Sequence, residues 1–226
     1  MLKPCAALLY PLLAASAMAA DPCTELPATR VEVKLLESPI QFSDRYSFKS
    51  LKGMSNRYAD AGVDVLGLTI GKAQVRASSR STLRRDPSGQ WECSTHQIHI
   101  EFGYQPISLH VGREFPQASC AFREIHAHEM RHATIYQETA RKLLDEVSKT
   151  LHARFDDMPL LRGPAGSTAI KIQNELNERW IPYIKRLLEQ AESLQRDVDS
   201  PEEYARIADS CNGDIRQIVR QHKQHQ

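Results

Sequence analysis

From Cys120 to Asp157 the chain contains neither proline nor glycine, and its apolar residues recur with the helical period. Phe122, Ile125, Ala133, Tyr136, Ala140, Leu143, Leu144, Val147 and Leu151 fall on one face of a helix. The spacing predicts a single long helix over 117–155, stopped by Asp156-Asp157-Met158-Pro159. A helix of that length spans ~58 Å at 1.5 Å per residue.

Within this stretch residues 128–132 read His128-Glu129-Met130-Arg131-His132. Histidines four apart lie about 40° apart around a helix and one turn apart along it, so both imidazoles can reach one metal ion. Glu129 sits beside the first histidine, where its carboxylate can take a proton from a metal-bound water without being a ligand. On the helical wheel Glu129 falls near the centre of the apolar face, with His128 and His132 on its flank. A carboxylate buried without a purpose is costly. His128 and His132 are therefore candidate metal ligands and Glu129 a candidate general base. The contrasting expectation is an amphipathic helix with two histidines on its polar margin.

The first twenty residues carry one charge, Lys3, then an apolar run, and end Ala17-Met18-Ala19-Ala20. This is the pattern of a secretory signal peptide cleaved after Ala19 or Ala20. Domain organisation is thus expected as a signal over 1–20 and one α+β domain over 21–226. The apolar run is too short for a membrane anchor, so a periplasmic or secreted protein without a membrane span is expected. Cys23, Cys93, Cys120 and Cys211 would remain, an even number bound for an oxidising compartment, and two disulfides are expected. No CxxC pair occurs, which argues against a cysteine zinc site or a thioredoxin-like motif. The favoured pairing is Cys93 with Cys120 and Cys23 with Cys211. The full chain has 29 basic and 28 acidic residues. That balance, with arginines such as Arg76, Arg80, Arg84 and Arg85 lacking interleaved aromatics, excludes nucleic acid as an expected partner.

Between Thr29 and Pro116 the pattern is strand-like. Alternation marks 30–35 and 96–102, with further candidates at 63–70, 73–83 and 107–111 and a turn at Asp86-Pro87-Ser88-Gly89. A largely antiparallel sheet of four to six strands is expected. Ser47 to Ala61 could be a short helix or a loop. After the long helix, Ser167 is expected to cap a second helix kinked at Pro182, and Ser200-Pro201-Glu202-Glu203 to start a third. Strands first and helices afterwards give an α+β architecture.

With its signal peptide, sheet, HExxH helix and helices packed behind, the chain resembles the zincin-type metallopeptidases, and more loosely the predicted secreted zinc-dependent proteases of bacteria. The specific match covers His128 to His132. The resemblance implies a zinc ion held by His128 and His132, Glu129 as general base, and peptide bonds as the substrate. It also implies a sheet-edge strand that binds the substrate as an added strand, with 98–102 and 107–111 as candidates. Peptidoglycan peptides are an alternative substrate, and a non-catalytic envelope or binding protein with an incidental or structural metal is the alternative function.

A catalytic zinc normally takes three protein ligands and a water. Ile135 stands where an extended motif would place glycine, and Glu138, where its third histidine would stand, points about 120° away from His132. Asn174-Glu175-Leu176-Asn177-Glu178 partly resembles the thermolysin-like pattern that supplies a third glutamate. Depth along a tight helical hairpin instead favours Glu189 or Glu192. The third ligand is thus open among Glu175, Glu192, Glu138 and a distant histidine: His96, His99, His110, His126, His152, His222 or His225. The oxyanion donor is open among Tyr104, Tyr136, Tyr183 and Arg131.

Overall fold

The computed structural model describes residues 21–55 and 64–224. The expected signal peptide and His225 lie outside the described residues.

The sheet is organised around one very long strand. Five strands are described: β1 (Arg30–Leu35), β2 (Ile40–Ser43), β3 (Gly67–Arg85), β4 (Trp91–Val111) and β5 (Leu161–Pro164). β3 runs antiparallel along almost the whole of β4, from Gly67 opposite Val111 to Arg85 opposite Glu92. The opposite edge of β4 is shared end to end. β5 pairs antiparallel with its start, β1 runs parallel to 97–102, and β2 runs parallel to 107–110. The sheet is therefore mixed, which corrects the expected antiparallel one. Alternation identifies a half-buried strand but carries no direction, and the connection from β1 and β2 back to β4 through β3 sets it.

The separate candidates at 96–102 and 107–111 are one strand. Pro106, which has no N–H to give a ladder, lies between the β1 and β2 pairings, and the β3 register shifts opposite it between Gly71 and Ala73. The turn at Asp86 forms as expected: the Asp86 carboxylate accepts from Trp91 N at 2.9 Å, and Gly89 takes φ +71°.

Among the described residues seven α-helices follow or interrupt these strands: α1 (Phe48–Met54), α2 (Cys120–Phe155), α3 (Ser167–Glu175), α4 (Ile181–Leu188), α5 (Ala191–Val198), α6 (Pro201–Asp209) and α7 (Asp214–Gln224). Helix α2 starts three residues later than expected because Ser119 caps it, accepting from Phe122 N at 3.0 Å. A π-helical turn over Leu176–Trp180 joins α3 to α4, immediately before Pro182. Ser167 is not a cap: it is the first residue of α3, and Gly166 at the N-cap has no side chain to offer. Glu92 from β4 substitutes, accepting from Thr168 N at 3.1 Å and Thr168 Oγ1 at 2.7 Å. A backbone hydrogen bond from Gly166, followed by these bonds to Thr168, holds its buried carboxyl below the usual range despite desolvation. Ser200 does cap α6, accepting from Glu203 N at 3.2 Å.

One face of the sheet is covered. Ile98, Ile100, Phe102 and Tyr104 of β4 meet Ala133, Tyr136, Ala140, Val147 and Leu151 of α2, and Ile172, Leu176, Trp180, Ile184 and Leu188 extend the same core. A second core joins Leu109, Val111, Phe115 and Ile125 to Ile207, Ile215 and Val219 of α6 and α7. Along α2 the seam between the two cores falls at residues 126–132. No described helix is long and apolar enough to cross a membrane.

Two disulfides form, Cys23–Cys93 and Cys120–Cys211, and this overturns the favoured pairing. The N-terminal segment lies beside β5, where Arg162 donates to Cys23 Sγ at 3.4 Å, so Cys23 reaches the start of β4. The C-terminal helices fold back on the start of α2 rather than on the N-terminus. Loop-closure entropy changes slowly with length, so spacing along the chain could not choose. Cys120–Cys211 closes a loop with a sequence separation of 91. Replacing both cysteines with serine is expected to lower unfolding stability by ~2–5 kcal/mol, measured by denaturant melts.

A candidate metal centre at the seam of two cores

At the seam, polar side chains are buried that the flanking cores would otherwise exclude. His128, Glu129 and His132 are each 4–6 % exposed. Nε2 of His128 and Nε2 of His132 lie 3.1 Å apart, and both meet Oδ1 of Asp199, at 3.2 and 3.0 Å respectively. Asp199 follows the last residue of α5, where the chain turns before Ser200 and α6. These three residues form the one group of potential metal-binding donors among the described residues.

The remaining ring nitrogens are held from behind. Nδ1 of His132 contacts Oε1 of Gln195, whose Nε2 donates to the His132 carbonyl at 3.1 Å. Nδ1 of His128 lies 3.4 Å from Oε1 of Glu203, and Arg131 also donates to that oxygen. Arg206 grips Glu203 with Nε and Nη2, both at 2.9 Å. The Arg206 bonds, followed by those of Arg131, hold the Glu203 carboxyl down at about 2 against its burial. The Gln195 oxygen is an acceptor at Nδ1 of His132, which places that ring's hydrogen there and turns its Nε2 lone pair toward a metal. Nδ1 of His128 stands 3.0 Å from Nη2 of Arg131, which only donates, as well as 3.4 Å from the Glu203 oxygen, so these contacts assign no tautomer to His128. Burial, then His132 and Arg131, lower the His128 pKa to about 4, so its imidazole is neutral at neutral pH. Neutral imidazole is the metal-binding form.

This donor set fits zinc. Ligand atoms 2.0–2.2 Å from a tetrahedral zinc stand ~3.3 Å apart, close to the separations found, and two imidazoles with one carboxylate is a known catalytic set. Imidazole nitrogens backed by a carboxylate and an amide supply the outer support such ligands use.

Glu129 lines the same cavity from the side of β3. Thr69 Oγ1 lies 2.9 Å from Glu129 Oε2 and 3.0 Å from the Glu129 carbonyl. Burial pushes the Glu129 carboxyl up to about 8, with Thr69 and Arg131 pulling the other way. The close approach of α2 to β3 requires two glycines. A Cβ on Gly67 would stand 2.6 Å from Glu129 Cγ, and one on Gly71 would stand 2.7 Å from the Tyr136 ring. Gly67→Ala is therefore expected to displace Glu129 and cost about 1–3 kcal/mol of stability by overpacking. Thermal unfolding measures it, and a variant as stable as the parent would show that the wall yields freely.

The other candidate ligands are elsewhere. Glu175 accepts from Arg154 at 2.8 and 2.7 Å and from Trp180 Nε1 at 3.0 Å. Glu138 is exposed, and Glu192 lines the cavity outside the donor group. His96 contacts Ser81 and Ser94, His99 contacts Glu32, and His152 contacts Asp156. His110 and His126 face Tyr46 and Phe122, and His222 faces its own helix at Ile218. The sequence reading missed Asp199. The shift is local: β5 draws the chain back to the sheet before α3 begins, and the turn at 189–190 breaks the hairpin. Gln195, rather than Glu189 or Glu192, is thereby brought level with His132. The one available signal was the cap at Ser200, which places an aspartate directly before a helix.

The strands proposed for substrate pairing also need correction. Residues 98–102 and 107–111 belong to β4, which is paired on both edges there. Among the described residues the outer edge of β3 pairs with no other strand, as is true of β1, β2 and β5, but it is β3 whose residues Gly67 to Gly71 line the cavity. That cavity has a volume of about 660 Å³ and holds His128, Glu129, His132, Asp199, Tyr136 and Tyr204 in its wall. Of the other candidate oxyanion donors, Tyr104 donates to the Leu188 carbonyl, Tyr183 donates to Glu146 and Arg131 is engaged with Glu203.

Comparison with protein-family models, curated proteins and solved structures returned no match.

Proposed function

We propose that this chain is an exported zinc-dependent peptidase of zincin type, with His128, His132 and Asp199 as zinc ligands and Glu129 as general base. The observation that carries the reading is the meeting of the two Nε2 atoms and Asp199 Oδ1 beside a buried glutamate in one cavity. Three protein donors leave a position for water, whereas a structural zinc is normally closed by four.

Zinc bound there would polarise a carbonyl and lower the pKa of a water. Gln195 and Glu203 hold the two imidazoles in the orientation that presents Nε2. Glu129 takes the proton of the attacking water on its carboxylate and delivers it to the leaving amine nitrogen. Burial favours the protonated carboxyl in the metal-free chain, and a zinc cation bound beside it would favour the ionised carboxylate that accepts this proton. Tyr136 and Tyr204 are the tyrosine hydroxyls in the cavity wall that can donate to the developing oxyanion. The open edge of β3 at Gly67 to Gly71 offers main-chain groups to an extended peptide.

The leader pattern and the two disulfides support a periplasmic or secreted location. The test is hydrolysis of an unstructured protein by the purified chain. Turnover should stop with a chelator and return when one equivalent of zinc is added. Turnover indifferent to the chelator would contradict the assignment.

A further inference from the structure

The candidate metal centre occupies only one end of its cavity. The wall continues past Leu68 and Ile207 to α7, where Ile215 and Val219 face inward. Beyond them Arg216, Arg220 and Lys223 also line the cavity, and all three are exposed. Their spacing of four and three residues puts them along one stripe of α7.

Charge is distributed unevenly along this cavity. At the inner end stand Glu129, Glu192 and Asp199. At the α7 end stand three cations, opposed by two carboxylates: Asp209 pairs with Arg216 at 2.8 Å and Asp64 with Lys223 at 2.8 Å. Arg220 lies between these pairs and makes no ion pair among the described residues. A guanidinium presents a planar fork that matches a carboxylate, and attraction across a partly enclosed cavity is screened less than on open surface.

We infer that the α7 wall of this cavity is a specificity site for carboxylate-bearing peptides. An apolar side chain lies against Ile207, Ile215 and Val219, and acidic groups farther along the chain meet Arg216, Arg220 and Lys223. Carboxylates at the opposite end would meet Glu192, so the gradient also fixes the direction in which the peptide lies. The substrate class rests on the peptidase reading, but the binding preference does not require turnover.

The test uses fluorescently labelled peptides and the full-length mature chain at low salt. One peptide carries an apolar residue followed by three glutamates and an amidated C-terminus; a second replaces the glutamates with glutamines. A third has the glutamines and a free C-terminal carboxylate, to separate acidic side chains from a chain terminus. Anisotropy should show the glutamate peptide binding on the order of tenfold more tightly than the amidated glutamine peptide. That ratio should shrink as salt is raised and the Debye length falls. Arg220→Glu should bring the ratio to about one or below, and Arg216→Gln should reduce it by a smaller factor. Equal binding of the acidic and neutral peptides by the parent would overturn the inference, as would a preference unchanged in Arg220→Glu. Cleavage of the same peptides, followed in parallel, reports on the peptidase reading separately: turnover without charge preference removes only the specificity site.

Discussion

Glu129→Gln is expected to lower peptide turnover by ~10²–10⁴-fold, the usual contribution of a positioned acid or base, while zinc remains bound. Glutamine matches glutamate in shape, so contact with Thr69 Oγ1 and the fit against Gly67 persist. What is lost is the ability to take and release a proton. The same substitution should stabilise the chelator-treated protein at alkaline pH. Folded Glu129 holds its proton up to about 8, whereas in the unfolded chain its carboxyl ionises near the ordinary value of 4.5. Between those values the folded state binds more protons than the unfolded one, so stability falls as pH rises through the window. Glutamine has no such slope. The variant should therefore melt higher than the parent at pH 8, by the equivalent of a few kcal/mol, and near-identically below pH 4.5. Unchanged turnover would remove Glu129 from the chemistry, and parallel pH profiles of the melting temperature would show that it is not buried as described.

Asp199→Ala should weaken zinc binding by more than the ~10–100-fold that loss of an outer partner costs, because a direct donor is removed. Both imidazoles would remain in place behind Gln195 and Glu203, so residual binding by two nitrogens is expected. Competition with a zinc chelator of known affinity measures the change. Glu175→Ala is the informative contrast: it breaks the bidentate contact with Arg154 and should lower stability without altering zinc affinity. If Glu175→Ala released zinc and Asp199→Ala did not, the third ligand would be the glutamate that motif comparison favoured.

The contrast between Glu175 and Asp199 also shows where sequence reasoning stops. Helix α2 could be read almost to its ends, because a stretch without proline or glycine and with an apolar stripe has no competing solution. Likewise 30–35 emerged as β1 with the same bounds, and the turn at Asp86 and the cap at Ser200 followed from side-chain chemistry local to the backbone they satisfy. His128, Glu129 and His132 could be placed on one helix for the same reason.

What was not legible depends on contacts between distant segments. Strand direction in β1 and β2, the pairing of Cys120 with Cys211 and the capping of α3 by Glu92 all lack a local signal. Asp199 is of this kind. It reaches the histidines because a short strand at Leu161–Pro164 and a break at 189–190 change which residue stands opposite His132. Neither feature shows in periodicity.

The most direct measurement is the metal content of the untagged, natively purified chain, determined by native mass spectrometry alongside His132→Ala. One zinc per parent chain, absent from the variant, is the predicted result. A parent chain that carries no metal and takes up none when zinc is supplied would contradict the metal centre and the peptidase built on it.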